Sequence, residues 1–209
     1  MAYQSLIPYL SEIPDPRHAK GKRHPQLSTL SIMVMAMLCG HTELKAMARF
    51  ARTHVERLAQ VIPLPRNKPP SYSTLQRTSH QIDCAQFCAQ FNRWMAQYTA
   101  SEPLAGDGKS ITSTVRNTAA GKQTFTSLVS FFGQHSHLIR QVGKLENDKR
   151  SEIDLVRELI GTLQIERSVF TLDALHCQKK RWPRLLNKAT VTSSRSNGIS
   201  PRYISPSPG

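Results

Sequence analysis

No aspartate or glutamate follows Asp173 in this 209-residue chain, although seven lysines and arginines do. Any chemistry that needs a carboxylate must therefore draw on residues up to 173. Cysteine is scarce as well: four occur, Cys39, Cys84, Cys88 and Cys177, with no CxxC pair among them. That pattern excludes a disulfide-stapled secreted scaffold and a zinc ribbon. Cys84 and Cys88 stand four apart on a predicted helix and read as packing residues. Long apolar runs are missing too. Leu27–Leu38 falls short of the roughly 20 residues that span a bilayer. It also begins after Glu12 and Asp15, too late for an ordinary secretory signal. The expectation is a soluble, cytoplasmic, nucleoid-associated protein with no membrane partner.

What is present is positive charge, and it is unevenly placed. The formal net charge is +14. Residues 1–100 carry twelve Lys/Arg against five acids, and residues 101–173 carry nine against nine. A basic front and a balanced middle fit a nucleic-acid-binding module ahead of a folded domain.

The first hundred residues read as helical. Prolines exclude Ile13-Pro14-Asp15-Pro16-Arg17 from a helix interior. Leu27, Leu30, Val34, Met37 and Leu38 recur at helical spacing, and Gly40 supplies a stop. Thr42 is placed to cap one long helix with Leu44, Met47, Ala51, Val55, Leu58 and Ile62 on its buried face. Lys45, Arg49 and Arg52 lie on another face of it. A proline-rich break follows, and Ser73-Thr74-Leu75-Gln76 has the form of a capping box. Asp83 then caps a helix striped by Phe87, Phe91, Trp94 and Tyr98.

The pattern changes after Ser101. Thr124–Phe132 and Leu138–Val142 read as paired strands. Ser151 opens a helix with Val156, Leu159, Ile160 and Leu163 on one face, and Ser168–Leu172 is a short buried strand. Residues 190–209 hold six serines, three prolines and no periodicity, which predicts disorder.

Two short motifs hold the chemistry. Leu104-Ala105-Gly106-Asp107-Gly108-Lys109 and Val169-Phe170-Thr171-Leu172-Asp173-Ala174-Leu175-His176 each end an apolar run on a carboxylate. Taken singly, Asp107 is a turn residue and Asp173 a helix cap. Together, carboxylates at the ends of neighbouring strands suit Mg²⁺ or Mn²⁺. Lys109 is a candidate phosphate contact, with an exposed lysine near a turn as the plainer reading. His176 is a candidate to orient DNA or touch the metal shell, or a partly buried polar residue at a helix start. Lys45, Arg49, Arg52 and Arg77 are candidate DNA-backbone contacts, or a solvated helix face. The Ser71–Arg77 segment has the setting of part of a helix-turn-helix.

Four blocks give the chain a family likeness. They are Ile13-Pro14-Asp15-Pro16-Arg17 with Gly21-Lys22-Arg23-His24-Pro25; Pro70-Ser71-Tyr72-Ser73-Thr74-Leu75-Gln76-Arg77; Asp107-Gly108-Lys109; and Leu172-Asp173-Ala174-Leu175-His176-Cys177-Gln178-Lys179. Their order and spacing resemble a bacterial insertion-sequence DDE transposase of the H-repeat-associated type. The resemblance implies an α + α/β chain: a helical, DNA-binding domain over 1–100, an incomplete RNase H-like domain over 101–180, and a disordered tail over 181–209. It implies DNA transposition by metal-dependent strand cleavage and transfer. Asp107 and Asp173 match the first two metal-binding acids of a site that holds two Mg²⁺ (or Mn²⁺) ions in an intact member. The implied partners are DNA at the element ends and target, with a homodimer or co-assembly with an intact transposase.

Two departures from the family stand out. Gly106 replaces a bulky aliphatic residue before the first acid. The third acid, a later helical glutamate, has no counterpart, and Arg181 onward bears no likeness to the family. The expectation is a chain truncated or frameshifted near residue 181 and catalytically incomplete. The rival expectation is a non-catalytic DNA-binding remnant that competes with or represses an intact element. A second rival, an RNA-binding protein using Phe125–Phe132 for base stacking, requires exposed rings that the apolar pattern of that strand does not favour.

Overall fold

A computed structural model describes residues 5–19, 22–98, 100–117, 123–146, 151–163, 168–173, 189–194 and 203–204. Helices come first and a mixed sheet follows: α1 Ile7–Ser11, α2 Gln26–Leu38, α3 Leu44–Thr53, α4 Val55–Val61, α5 Tyr72–Gln81, α6 Cys84–Met95, β1 Leu104–Asn117, β2 Gln123–Gly133, β3 Ile139–Glu146, α7 Glu152–Thr162, β4 Ser168–Asp173, β5 Ala189–Ser194 and β6 Tyr203–Ile204. The chain divides into two compact units, Met1–Gln90 and Phe91–Gly209. No helix among the described residues is long and apolar enough to cross a membrane.

In the first unit α2 is central. Ser28, Thr29, Leu30, Ser31, Ile32 and Ala36 are all buried, while Met37 and Leu38, at the expected stripe's end, are 46% and 82% exposed. The helix is enclosed on more than one side, so a single apolar stripe does not describe it. Two of its buried hydroxyls find backbone acceptors: Ser28 donates to the Pro63 carbonyl at 2.6 Å and Thr29 to the Pro25 carbonyl at 3.1 Å. Gly40, at φ 83°, ends the segment in the left-handed conformation that glycine tolerates best.

The long helix expected after Thr42 is two helices. His54 ends α3 and starts α4, and its ring packs 4.8 Å from Phe50. Glu43, not Thr42, precedes the first turn, with no side-chain cap. The buried face is nonetheless the one the periodicity marks: Met47, Ala51, Leu58 and Ile62 are all at most 4% exposed. The cap of α5 also moves. Ser71 accepts from the Thr74 amide at 3.3 Å, two residues ahead of the expected Ser73. Asp83 does cap α6, accepting from the Ala85 amide at 2.8 Å.

In the second unit the strand order is β3-β2-β1-β4-β5-β6. β1, β2 and β3 are antiparallel neighbours, whereas β4 runs parallel to β1 and β5 parallel to β4. This is the antiparallel hairpin feeding a parallel pair that a strand, strand, strand, helix, strand order predicts. Helix α7, capped by Ser151 accepting from the Asp154 amide at 3.3 Å, covers one face. Leu155, Val156, Leu159 and Ile160 pack there against Leu104, Val129, Phe131, Leu145, Phe170 and Leu172. Phe131 and Phe170 meet edge-on with centroids 5.5 Å apart. At the outer strand, the Asn92 side chain donates to the Val142 carbonyl and accepts from its amide, both at 2.9 Å, completing edge hydrogen bonds.

One expectation about the tail is corrected. Within the stretch predicted to be disordered, Ala189–Ser194 forms β5, in register with β4 from Ser168↔Ala189 to Asp173↔Ser194. Ala-Thr-Val-Thr has the β-branched content that suits a strand, a signal masked by the serines around it. The remainder of 181–209 lies outside the described residues apart from Tyr203–Ile204.

Candidate functional site

Asp107 and Asp173 take corresponding positions in the backbone register of two adjacent strands, although Asp107 lies within β1 and not at the strand end expected of it. Parallel pairing aligns Leu104 with Phe170 and Ala105 with Thr171. Asp107 and Asp173 each lie three residues beyond the first of these pairs, on adjacent strands running the same way. The spacing of the two motifs in sequence is thus the register of the two strands. Asp107 is exposed, and strand alternation puts it on the face opposite Leu104, away from α7.

Gly106 is explained by its neighbours. A Cβ at this position would lie 2.5 Å from Leu172 Cδ2 and 2.8 Å from Phe131 Cε1. The space that an aliphatic side chain would take is filled from β2 and β4.

Gly108 has a similar reason. A Cβ there would collide with Oε1 of Glu152, in the first turn of α7. The sequence marks Glu152 only as a favourable charge at a helix start. The fold also lays its carboxylate against the backbone next to Asp107. No sequence signal marks this approach, because it depends on which strand α7 crosses.

A second relationship missed in the sequence holds the start of β1 in place. Arg140 Nη1 lies 2.6 Å from Glu102 Oε1, with the two side chains 2% and 4% exposed. Arg140 also donates to the Ala100 carbonyl at 3.3 Å and to the Tyr98 carbonyl. Glu102 accepts from the Ser136 amide at 2.8 Å, the Ser136 hydroxyl at 2.7 Å and the His135 amide at 3.0 Å. Burial raises its pKa, but the Ser136 bonds, Arg140 and the His135 amide outweigh it and hold the carboxyl at about 2. The β2–β3 turn is thereby fastened to the residues that lead into β1.

Lys109 is exposed and opposite Leu128 in the β1–β2 pairing. His176, Cys177 and Lys149 lie outside the described residues. Among the described residues, no group of three or more His, Cys, Asp or Glu is placed to hold a metal ion.

The basic candidates of the first unit separate into two sets. Lys45, Arg49 and Arg52 are exposed along α3. Arg77, whose Nε donates to the Ser73 carbonyl at 3.1 Å, instead lines a hollow with Arg23, Arg66 and Lys68. The Pro14–Arg17 motif is structural. Arg17 grips Asp15 through Nε at 2.8 Å and Nη2 at 2.9 Å, and Nη2 also donates to the His24 carbonyl at 2.9 Å. The Arg17 hydrogen bond holds the Asp15 carboxyl below the usual carboxylate range, against some opposition from burial.

Residues 7–95 match the DDE_Tnp_1-associated family. Over 183 residues the chain is 28% identical to the putative transposase YncI of Escherichia coli O157:H7, covering 86% of this chain and 46% of that one. It is 27% identical to the H repeat-associated putative transposase YhhI of Escherichia coli K12, with 86% and 47% covered. It is 30% identical over 177 residues to an uncharacterized protein in the dhlA 3′ region of Xanthobacter autotrophicus, with 82% and 58% covered. The chain spans about half the length of these relatives.

Proposed function

Taking the chain as a relative of the H-repeat-associated transposases with a DDE_Tnp_1-associated domain over residues 7–95, we propose that it derives from a DNA transposase of the DDE type. The observation that carries this is the level placement of Asp107 and Asp173 on adjacent parallel strands. The order β3-β2-β1-β4-β5, antiparallel through the first three strands and parallel through the last three, supports an RNase H-like reading of the second unit.

Asp107 and Asp173 are the residues that would hold a divalent cation. Their oxygen donors suit Mg²⁺ or Mn²⁺, and Asp107 is open to solvent on an uncrowded face. When bound, such an ion supplies charge stabilisation at a scissile phosphate. The protein's own part is to hold the acids at one level. Phe131 and Leu172 fix β1 against β2 and β4 under Gly106, and the Glu102–Arg140 pair fixes the approach to β1.

Residues 174–209 contain no acid, so this stretch offers no counterpart to the family's third metal-binding carboxylate. We therefore read the chain as DNA-binding and incompetent for strand transfer by itself. Mn²⁺ binding followed by electron paramagnetic resonance, beside a strand-transfer assay on element-end DNA, tests both parts. The expected result is weak Mn²⁺ binding lost in Asp107→Asn/Asp173→Asn, with no transfer product. Undiminished Mn²⁺ binding by the double variant would remove the metal reading; robust product would remove the incompleteness.

The acid-free stretch 174–209 and the basic first unit favour a second reading, a DNA-binding competitor or repressor of an intact element, alone or co-assembled with the intact enzyme. Lowered transposition of an intact relative when this chain is co-expressed supports it.

A further inference from the structure

Three segments of the first unit converge on one hollow of about 670 Å³. Arg23 comes from the loop before α2, Arg66 and Lys68 from the turn at Pro65–Asn67 and its end, and Arg77 from α5. No Asp or Glu lines it among the described residues. Nor is any of these four cations ion-paired among the described residues. Like charges gathered in a concavity reinforce one another's field toward anions.

The polar lining fits the same ligand. Ser71 and Thr74, whose hydroxyl oxygens lie 3.1 Å apart, sit at the N-terminus of α5, where helix amides and dipole favour negative charge. His24 forms part of the wall, is 8% exposed, and its Nδ1 has no hydrogen-bond partner among the described residues. Arg66, in the lining, holds a left-handed conformation at φ 57°.

Resting on the DNA reading above, we infer that this hollow cradles the phosphodiester backbone of DNA. Arg23, Arg66, Lys68 and Arg77 neutralise its phosphates, and whichever of the Ser71 and Thr74 hydroxyls does not donate to the other donates to a phosphate oxygen. The contact is blind to base sequence and fixes the position of the duplex on the protein. It is distinct from the α3 set, since Lys45, Arg49 and Arg52 do not line the hollow.

The test is fluorescence anisotropy of the 209-residue chain on a labelled duplex across a salt series. Arg66→Ala/Lys68→Ala/Arg77→Ala removes exposed charges; circular dichroism checks the fold, and Lys68→Glu alone serves as a second variant. The triple variant is expected to bind roughly 30-fold more weakly, with a salt slope shallower by about 2.7. Unchanged affinity and slope in this variant, with both lost in Lys45→Ala/Arg49→Ala/Arg52→Ala, would overturn the cradle and leave the DNA reading standing. A wild-type chain that binds no DNA overturns both. Inorganic phosphate titrated at matched ionic strength distinguishes the remaining source. Phosphate binding lost in the triple variant while DNA binding persists would assign the hollow to a small anion and overturn the inference.

Discussion

Arg140 and Glu102 form a buried ion pair across 38 residues of sequence, and every polar group around them has a share in it. The guanidinium ties the backbone at Tyr98 and Ala100, the carboxylate ties the turn at His135 and Ser136, and the two meet at the entrance to β1. Its value lies in fixing the strand that carries Asp107.

Breaking one side of that pair is expected to be costly. Arg140→Leu leaves Glu102 buried with only the Ser136 and His135 donors, and truncating one partner of a buried pair typically costs about 3–5 kcal/mol. Urea denaturation should show the midpoint falling by a corresponding amount. A loss below about 1 kcal/mol would mean that the pair is more hydrated than its burial indicates.

The same carboxylate sets a pH dependence. Its pKa falls from 4.5 to about 2 on folding. The unfolded state therefore binds more protons between those values, and stability drops as pH falls through that window. Above pH 4.5 the contribution is fully present, on the order of 3 kcal/mol at about 1.4 kcal/mol per unit. Unfolding followed from pH 6 to pH 2 should lose much of its slope below 4.5 in Glu102→Gln. Asp15, held low by Arg17, adds a smaller slope of the same sign.

Gly106 and Leu172 should show coupled energetics. Gly106→Ala places a methyl against Leu172 and Phe131 and is expected to cost about 1–3 kcal/mol by overpacking. Leu172→Ala removes a side chain only 1% exposed and is expected to cost about 2–5 kcal/mol. The double variant should lose less than the two combined, because the new methyl occupies part of the vacated space. Strict additivity in a double-mutant cycle would contradict the packing described here.

Arg17→Lys tests whether the Pro14–Arg17 motif acts through geometry or charge alone. Lysine keeps the charge but loses the two-point grip on Asp15 together with the hold on the His24 carbonyl. A stability loss of about 1–3 kcal/mol is expected from the orphaned buried acceptors. Calorimetry indistinguishable from the wild type would reduce the motif to simple charge pairing.

Local signals were legible wherever a residue's role depends on its near neighbours. Ser151 and Asp83 cap their helices as their positions suggest, and Val129 and Phe131 are buried as the strand pattern suggests. At α2 neighbours distant in sequence decide burial, whereas the break at His54 and the cap at Ser71 are local. Packing around α2 buries Ser28 and Ser31 and leaves Leu38 in solvent. His54 breaks a continuous apolar pattern into α3 and α4 while preserving the buried face.

By itself the sequence determined that a basic helical segment precedes a mixed α/β sheet, and that two acids each end an apolar run. Asp173 ends β4, but Asp107 lies early in β1, which continues to Asn117. Periodicity and capping chemistry are local, so they survive without coordinates. Only the tertiary structure decided that these acids stand level, that Phe131 and Leu172 replace the side chain Gly106 lacks, and that Arg140 and Glu102 meet. Only it gathered Arg23, Arg66, Lys68 and Arg77 around one hollow. Each of these depends on which elements become neighbours, and that is set by burial summed over the whole fold, which no single window of sequence contains.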